Sequence, residues 1–425
     1  MAGRATPDFE AWETLVWQAA RQGGAGVLGT LLKDWQPTGS RPRIACGCGR
    51  RMCSQGRRAK QLLTVLGPVP FARSCYQCAH CAQTRFPADE RLDIVQTSYS
   101  PGVRRLMARA GSQTPFAQAA QDLLCYAGLE LEAREIERVA EEVGREVEQW
   151  LGQEQSRLRE GAPPPKPLPP SSGSKFYASF DGTGVPIRSG ELAGRRGKQP
   201  DGSARTREAK LGCIFTQVGV DREGRPQREP DSTTYVGAIE SSELFGWRIY
   251  AEAARRGLEQ AREVIVLSDG ARYNHTIART HFPCATHIVD LFHAVEHLTL
   301  MAQLLWGPEA KTPRPWRELL EAGEIAALLR RAGKKLPPAA AGKEAMRKAL
   351  HYFEENSLQM RYAEFRQRKL FVGSGVVEAG CRTVIGQRLK QSGMRWSVRG
   401  ANAIIALRCC LMSGRFEDFW ASRTP

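Results

Sequence analysis

Fourteen residues near the middle of the chain, GAPPPKPLPPSSGS at positions 161–174, hold six prolines. Proline fixes φ and lacks a backbone N–H, so neither a helix nor an internal strand continues through such a run. The segment reads as an extended, semi-rigid linker, and the chain must fold separately on each side of it. With 425 residues there is room for two or three domains of roughly 100–200 residues each. The apolar pattern changes character across the linker, from helices and a hairpin before it to alternating strands and helices after it.

Before the linker, residues 1–40 form an N-terminal helical segment. Phe9, Trp12, Leu15, Val16 and Ala19 recur at helical spacing until a Gly-rich stretch that predicts a break. Residues 41–60 hold seven basic side chains and no acidic one. Two strand-like runs follow, QLLTVLG and PVPFARSCYQC, hinged at Gly67-Pro68. Cys46-Gly-Cys48 and Cys78-Ala-His-Cys81 flank this hairpin, which is how a zinc ribbon gathers four thiolates into a tetrahedron. Residues 41–90 are therefore expected to be a zinc-ribbon-like element with Zn²⁺ on Cys46, Cys48, Cys78 and Cys81. Cys53 and Cys75 are also within reach, and a set of reduced thiols without metal is the plain alternative. The other cysteines lie on apolar faces and read as small core residues. Residues 91–160 read as helical, serving DNA binding or dimerisation. A helix-turn-helix over 116–143 would place Arg134 and Arg138 on its second helix, but six glutamates there would repel phosphate.

Charge narrows the class of partner. With 61 Lys+Arg against 45 Asp+Glu the formal charge is +16, which favours a polyanion, nucleic acid before an acidic membrane face. No apolar run is long enough for a transmembrane span, and the N-terminus has acidic residues where a signal peptide needs basic and apolar ones. A cytoplasmic protein without a membrane partner is expected, and twelve cysteines without a secretion signal argue against a disulfide framework.

Beyond the linker, residues 175–425 read as α/β. KFYASFDGTGVPI, AKLGCIFTQVGVD, STTYVGAIE, EVIVLSDG and the start of THIVDLFH are strand-like, and about 294–370 is helical in pattern. Two of the strands run straight into carboxylates, Asp181 in Phe-Asp-Gly and Asp269 in Ser-Asp-Gly. Glu378 borders a helical stripe formed by Val377, Cys381, Val384 and Ile385. Singly, an Asp after a strand is more often a turn or a helix cap than a catalyst. Together, three carboxylates at one site would repel one another unless cations neutralise them, and Mg²⁺ favours such sparse oxygen sites, completed by water and phosphate. Two ions of this kind clamp the attacking and leaving oxygens of a phosphoryl transfer. Between Arg366 and Arg399 stand eight basic residues and Glu378 as the sole acid. Glu378 in that field is either an ion-pair partner or a metal ligand beside a bound polyanion.

SFDGTGVPI, REAKLG, VLSDGARYN, THIVDLFHAVEHL and GVVEAG with RTVIGQRLKQSGMRWS, in this order, resemble the DDE transposases of bacterial insertion sequences, the ISKra-type group above all. The resemblance runs from about 41 to 415. It implies a ribonuclease-H-like catalytic domain, a mixed sheet flanked by helices, with an all-helical insertion ahead of the last carboxylate. It further implies Asp181, Asp269 and Glu378 as catalytic residues holding two Mg²⁺ (Mn²⁺ substituting). Asp290 and His293 match the family's Asp-x-x-His pair, expected beside the site, contacting DNA or orienting the second Asp. Cys75 falls where related sequences carry an aromatic residue, which favours Cys78 and Cys81 as zinc ligands. Arg382, Arg388, Lys390, Arg395 and Trp396 are expected to contact DNA. The activity implied is cutting of element ends and joining of the 3′-OH to target DNA, by a homo-oligomer in the DNA complex, near the bacterial nucleoid.

Two other readings compete. A catalytically silent, transposase-derived DNA-binding protein would keep the basic surface without the chemistry. His293-Ala-Val-Glu296-His297 is also a literal HxxEH, the inverted zinc-protease motif, with Glu378 downstream as a third ligand. A protease leaves the +16 charge, the cysteine hairpin, Asp181 and Asp269 without a use.

Overall fold

The computed structural model describes residues 8–35, 42–162, 175–197, 199 and 201–423. The proline run from 163 to 174 lies outside them. The chain divides into two compact units, Met1–Val143 with Trp420–Pro425, and Gly144–Phe419. That division falls within the helix Ala133–Arg159. No described helix is long and apolar enough to cross a membrane.

In the first unit the strands β1 (Arg43–Ala45), β2 (Arg51–Thr64), β3 (Gly67–Gln77) and β4 (Thr84–Arg85) make one antiparallel sheet in that order. The hairpin between β2 and β3 closes where Thr64 faces Gly67, whose φ of +110° is open only to glycine at low cost. β2 begins ten residues ahead of the strand-like run in the sequence. Its first half is rich in arginine and mostly exposed, so no apolar alternation announces it. The helix Phe9–Asp34 is capped by Asp8, which accepts from the Ala11 amide at 3.1 Å. It runs through Gly23, Gly24 and Gly26, where the sequence pattern predicts a break. A Cβ on Gly24 would lie 3.3 Å from Leu66 and one on Gly29 3.6 Å from Val69, so the glycines let this helix rest close on the hairpin.

In the second unit six strands form a mixed sheet, with order β10-β9-β5-β6-β7 and β8 also paired to β6. These are β5 (Lys175–Pro186), β6 (Thr206–Val220), β7 (Pro226–Arg228), β8 (Thr234–Ala238), β9 (Glu263–Ser268) and β10 (Thr286–Val289). β5, β9 and β10 are parallel, while β6 is antiparallel to β5, β7 and β8. Side chains alternate across β5. Phe176, Ala178 and Phe180 join Ile214 and Val266 in a core closed by Phe245 and Ile249 of the helix Ser242–Arg255 and by Ile277 of the helix Arg272–His281. On the opposite face Tyr177 stacks on Phe215 at 4.8 Å, and both meet the edge of Phe371. There too Gly380 and Ile405, from the helices Gly375–Gly380 and Val398–Met412, abut β6 and β8. The sheet is thus covered by helices on both faces. After β10 the chain is helical through Leu291–Trp306, Arg314–Ala322, Ile325–Ala332, Ala340–Glu355 and Tyr362–Gln367.

Candidate functional sites

The four cysteines named from their spacing come together. Two tight turns place them. The Gly49 amide donates to Cys46 O at 3.1 Å with φ +82°, and the Ala82 amide donates to Cys78 O at 2.9 Å. The Sγ atoms of Cys46, Cys48, Cys78 and Cys81 all lie within 4.8 Å of one another, with Cys46–Cys81 and Cys46–Cys48 at 3.5 Å and Cys48–Cys78 at 3.7 Å. This cluster could hold a metal ion such as zinc. Amides of Cys81 and His80 pull the Cys78 thiol down to about 6, while hydrogen bonds with the neighbouring thiols push Cys81 up to about 12, as expected of four thiols that share protons. Cys53 is exposed and Cys75 buried, and neither belongs to the group. Cys213, Cys381, Cys409 and Cys410 are buried as read from the sequence, whereas Cys125 and Cys284 are exposed.

The carboxylates lie in the second unit. β5 and β9 are paired in parallel as far as Phe180 and Ser268, and Asp181 and Asp269 are the next residue on each. Asp181 continues the Tyr177–Ser179 face, the one covered by the helix of Glu378. Asp181 Oδ1 accepts from the Gly182 amide at 2.6 Å, and its Oδ2 lies 4.0 Å from Cys381 Sγ. Burial raises the Asp181 pKa, and the charges of Asp269 and Glu378 raise it further against the pull of the Gly182 amide and His293. Asp269 Oδ1 accepts from the Ala271 amide at 3.1 Å and from the Asn274 side chain. Glu378 is exposed, and its Oε1 accepts from the Ser374 hydroxyl at 2.5 Å. Among the described residues the four cysteines are the group gathered closely enough to cage a metal ion, and Asp181, Asp269 and Glu378 do not form such a group.

Asp290 is buried, capping the helix Leu291–Trp306 through the His293 amide at 2.6 Å. Its other oxygen accepts from the Ser374 amide. The Asp269 carboxylate is held instead by Asn274 and Ala271. The His293 ring is partly exposed, 5.2 Å from His297 and 3.5 Å from Glu296. His297 stacks on Tyr352 at 3.8 Å, and burial drops its pKa to about 4. Glu296 is mostly exposed, and among the described residues the HxxEH side chains do not converge as a metal cage.

Two expected DNA contacts are overturned. Arg388 is fully buried, its Nη1 3.8 Å from Met394 Sδ and its guanidinium 5.0 Å over Trp396. Trp396 is itself buried and donates to Leu389 O at 3.1 Å. Both are packing residues, unable to reach a phosphate from where they lie. Arg382, Lys390 and Arg395 are exposed, and Lys390 Nζ donates to the Thr183 hydroxyl, two residues from Asp181.

One acidic neighbour of this region is not marked by any sequence motif. Glu208 on β6 pairs with Gly184, and a Cβ on Gly182 would run into its carboxylate. It is held by Lys210 at 2.7 Å and faces the Tyr273 hydroxyl at 3.5 Å. Gly182 was the available signal, since a glycine after the aspartate clears space for this neighbour.

No protein-family model matches the chain, and no curated protein matches it. Among solved structures the chain is similar to the Drosophila P element transposase strand transfer complex, at 9% identity over 80% of this chain and 84% of that one. The TM-score of 0.24 is too low for that likeness to say anything of fold or activity.

Proposed function

We propose that this protein is a DNA transposase of the DDE kind, with Asp181, Asp269 and Glu378 as its catalytic carboxylates on a ribonuclease-H-like domain. The observation that carries the reading is the placement of Asp181 and Asp269 at the same level on adjacent parallel strands, each next after the last β5–β9 pair, with burial first and then the charges of Asp269 and Glu378 raising the Asp181 pKa. Hard carboxylate oxygens that repel one another fit divalent cations such as Mg²⁺ or Mn²⁺. Bound there, such cations would supply nucleophile activation and stabilisation of the leaving oxygen.

The chain's own residues do the rest. Asp181 and Asp269 are fixed by strand register and by local amides and Asn274, so little reorganisation is needed as ligand arrives. Lys390, exposed and linked to Thr183, lies where it can meet a phosphate close to Asp181, and Arg382 and Arg395 add positive charge on the same segment. The cysteine element, with zinc bound, would keep the first unit folded. Cutting of element ends and joining of the freed 3′-OH to target DNA, by a homo-oligomer, completes the proposal.

The test uses duplexes taken from the DNA that flanks the gene, with Mg²⁺ or Mn²⁺. Wild type should nick and join them, and Asp181→Asn should bind them as tightly yet do neither, because a carboxamide lacks the charge a shared cation needs. Wild type that synapses these duplexes but never nicks them leaves a DNA-binding protein without the chemistry.

A further inference from the structure

We infer that Asp290 and Ser374 are positioning residues that hold Glu378 in its ligand geometry, Asp290 acting through Ser374 and neither touching metal or DNA. The inference rests on the reading of Glu378 as a metal ligand and assigns what fixes it.

Glu378 stands apart from the other two carboxylates. Asp181 lies within β5 and Asp269 just past the end of β9, whereas Glu378 is exposed in the first turn of a continuous helical stretch, Gly375–Gly380 leading into the π-helix Cys381–Gly386 and then Gln387–Leu389. Because Glu378 is in that first turn, its side chain's direction depends on how the chain entering the helix is held. The chain just ahead of it is clamped at three points to the start of the helix Leu291–Trp306. The Leu291 amide donates to Val372 O at 2.9 Å. Gly373 lies so close to Phe292 that a Cβ would approach the ring to 2.6 Å. Asp290 accepts from the Ser374 amide with one oxygen and from the His293 amide with the other. Asp290 itself is anchored to the sheet, its amide donating to Ser268 O at 2.9 Å, one residue before Asp269. From there the Ser374 hydroxyl donates to Glu378 Oε1 at 2.5 Å.

This is a continuous path from the end of β9 to the third carboxylate. It excludes other roles for Asp290. At 1% exposure, with both oxygens taken by backbone amides, it is available neither to a cation nor to a phosphate. The Ser374 bond occupies one Glu378 oxygen and leaves Oε2 for a cation. Such outer partners fix the direction of a ligand and, when removed, typically weaken metal affinity by about 10–100-fold.

The test is Mn²⁺ binding by the full-length protein, followed by electron paramagnetic resonance of the free ion, together with the Mn²⁺ dependence of nicking. Ser374→Ala keeps the amide that Asp290 needs and removes only the hydroxyl. It should weaken Mn²⁺ binding about tenfold, leave duplex affinity measured in Ca²⁺ unchanged, and regain most of the wild-type rate at saturating Mn²⁺. Ser374→Thr should restore the affinity. Asp290→Asn should weaken Mn²⁺ binding similarly if it folds, and Ser374→Ala decides the matter if it does not. Wild-type Mn²⁺ affinity in Ser374→Ala, with Glu378→Gln weakened, overturns the positioning role and leaves the transposase reading intact. Wild-type affinity in Glu378→Gln overturns both.

Discussion

Phe180 on β5 pairs with Ser268 on β9, and this one register sets the relation between the two carboxylates that follow. Parallel neighbours advance together, so Asp181 and Asp269 stand side by side; β5 continues past Asp181 to Pro186 while β9 ends before Asp269, and each carboxylate accepts from a nearby backbone amide, Gly182 and Ala271. Burial raises the pKa of Asp181, and the charge of Asp269 adds to the shift.

The shift has a consequence for stability. A carboxyl whose folded pKa lies above its unfolded value favours folding at pH below the unfolded value, and that contribution is lost as pH rises through the folded value. In protein free of divalent cations at the carboxylates, Asp181→Asn should therefore melt at higher temperature than wild type at pH 7. The difference should shrink as pH falls and vanish below the unfolded carboxyl's value of about 3.9, where Asp181 is protonated in both states. Adding Mn²⁺ should raise the wild-type midpoint and leave the variant's where it was, because only the native site binds the ion. Calorimetry across pH checks both signs. A variant that is less stable at pH 7 would count against a raised Asp181 pKa.

Metal content separates the cysteine cluster from the HxxEH helix. The purified protein should contain about one zinc per chain. Cys48→Ser and Cys78→Ser should lose it, while Cys53→Ser, Cys75→Ser and His293→Ala should keep it. Hydrogen exchange should accelerate across β1–β4 in the two metal-free variants, because binding a structural zinc is part of the folding free energy. Zinc that departs with His293 instead of Cys78 would revive the protease reading.

The parts of this site that follow from local pattern were legible in the chain, and the parts that depend on distant partners were not. Apolar runs ending in Asp-Gly mark β5 and β9, since a strand buried on both faces is written as continuous hydrophobic sequence. Cysteine spacing likewise named the four thiols that converge. By contrast Arg388 lies in a basic run, and charge alone argues for a surface residue; its burial depends on Trp396, which the chain folds back over it. The Asp290–Ser374 contact joins positions 84 apart in sequence. The first half of β2 carries no periodic apolar signal at all.

The corrected placement of Arg388 changes what its removal should do. Arg388→Ala empties a buried site and should cost about 2–4 kcal/mol of stability, on the scale of large-to-small core substitutions. The salt dependence of DNA binding should not change. Lys390→Ala and Arg395→Ala should be the reverse, folding normally but flattening the log–log salt slope by about 0.9 for each phosphate no longer neutralised. Chemical denaturation and binding titrations over a range of salt distinguish the two classes. An Arg388→Ala variant that is fully stable but binds DNA weakly would reinstate Arg388 as a DNA-binding residue.

Two glycines on the helix of Glu378 should respond oppositely to the same change. A Cβ on Gly380 would sit 2.8 Å from the Tyr235 ring and 3.1 Å from Leu211 Cδ2, whereas one on Gly375 would meet nothing within 4 Å. Alanine is the better helix former by about 1 kcal/mol, which favours both substitutions. At Gly380 overpacking against β6 and β8 outweighs that gain, and a net loss of about 1–2 kcal/mol is expected. Gly375→Ala should be neutral or stabilising by up to about 1 kcal/mol. Lifting the helix from the sheet also turns Glu378 away from Asp181, so Gly380→Ala should weaken Mn²⁺ binding as well, and Gly375→Ala should not. Paired denaturation and Mn²⁺ titrations read both effects. Equal behaviour of the two variants would mean that close packing at Gly380 does not set the position of Glu378.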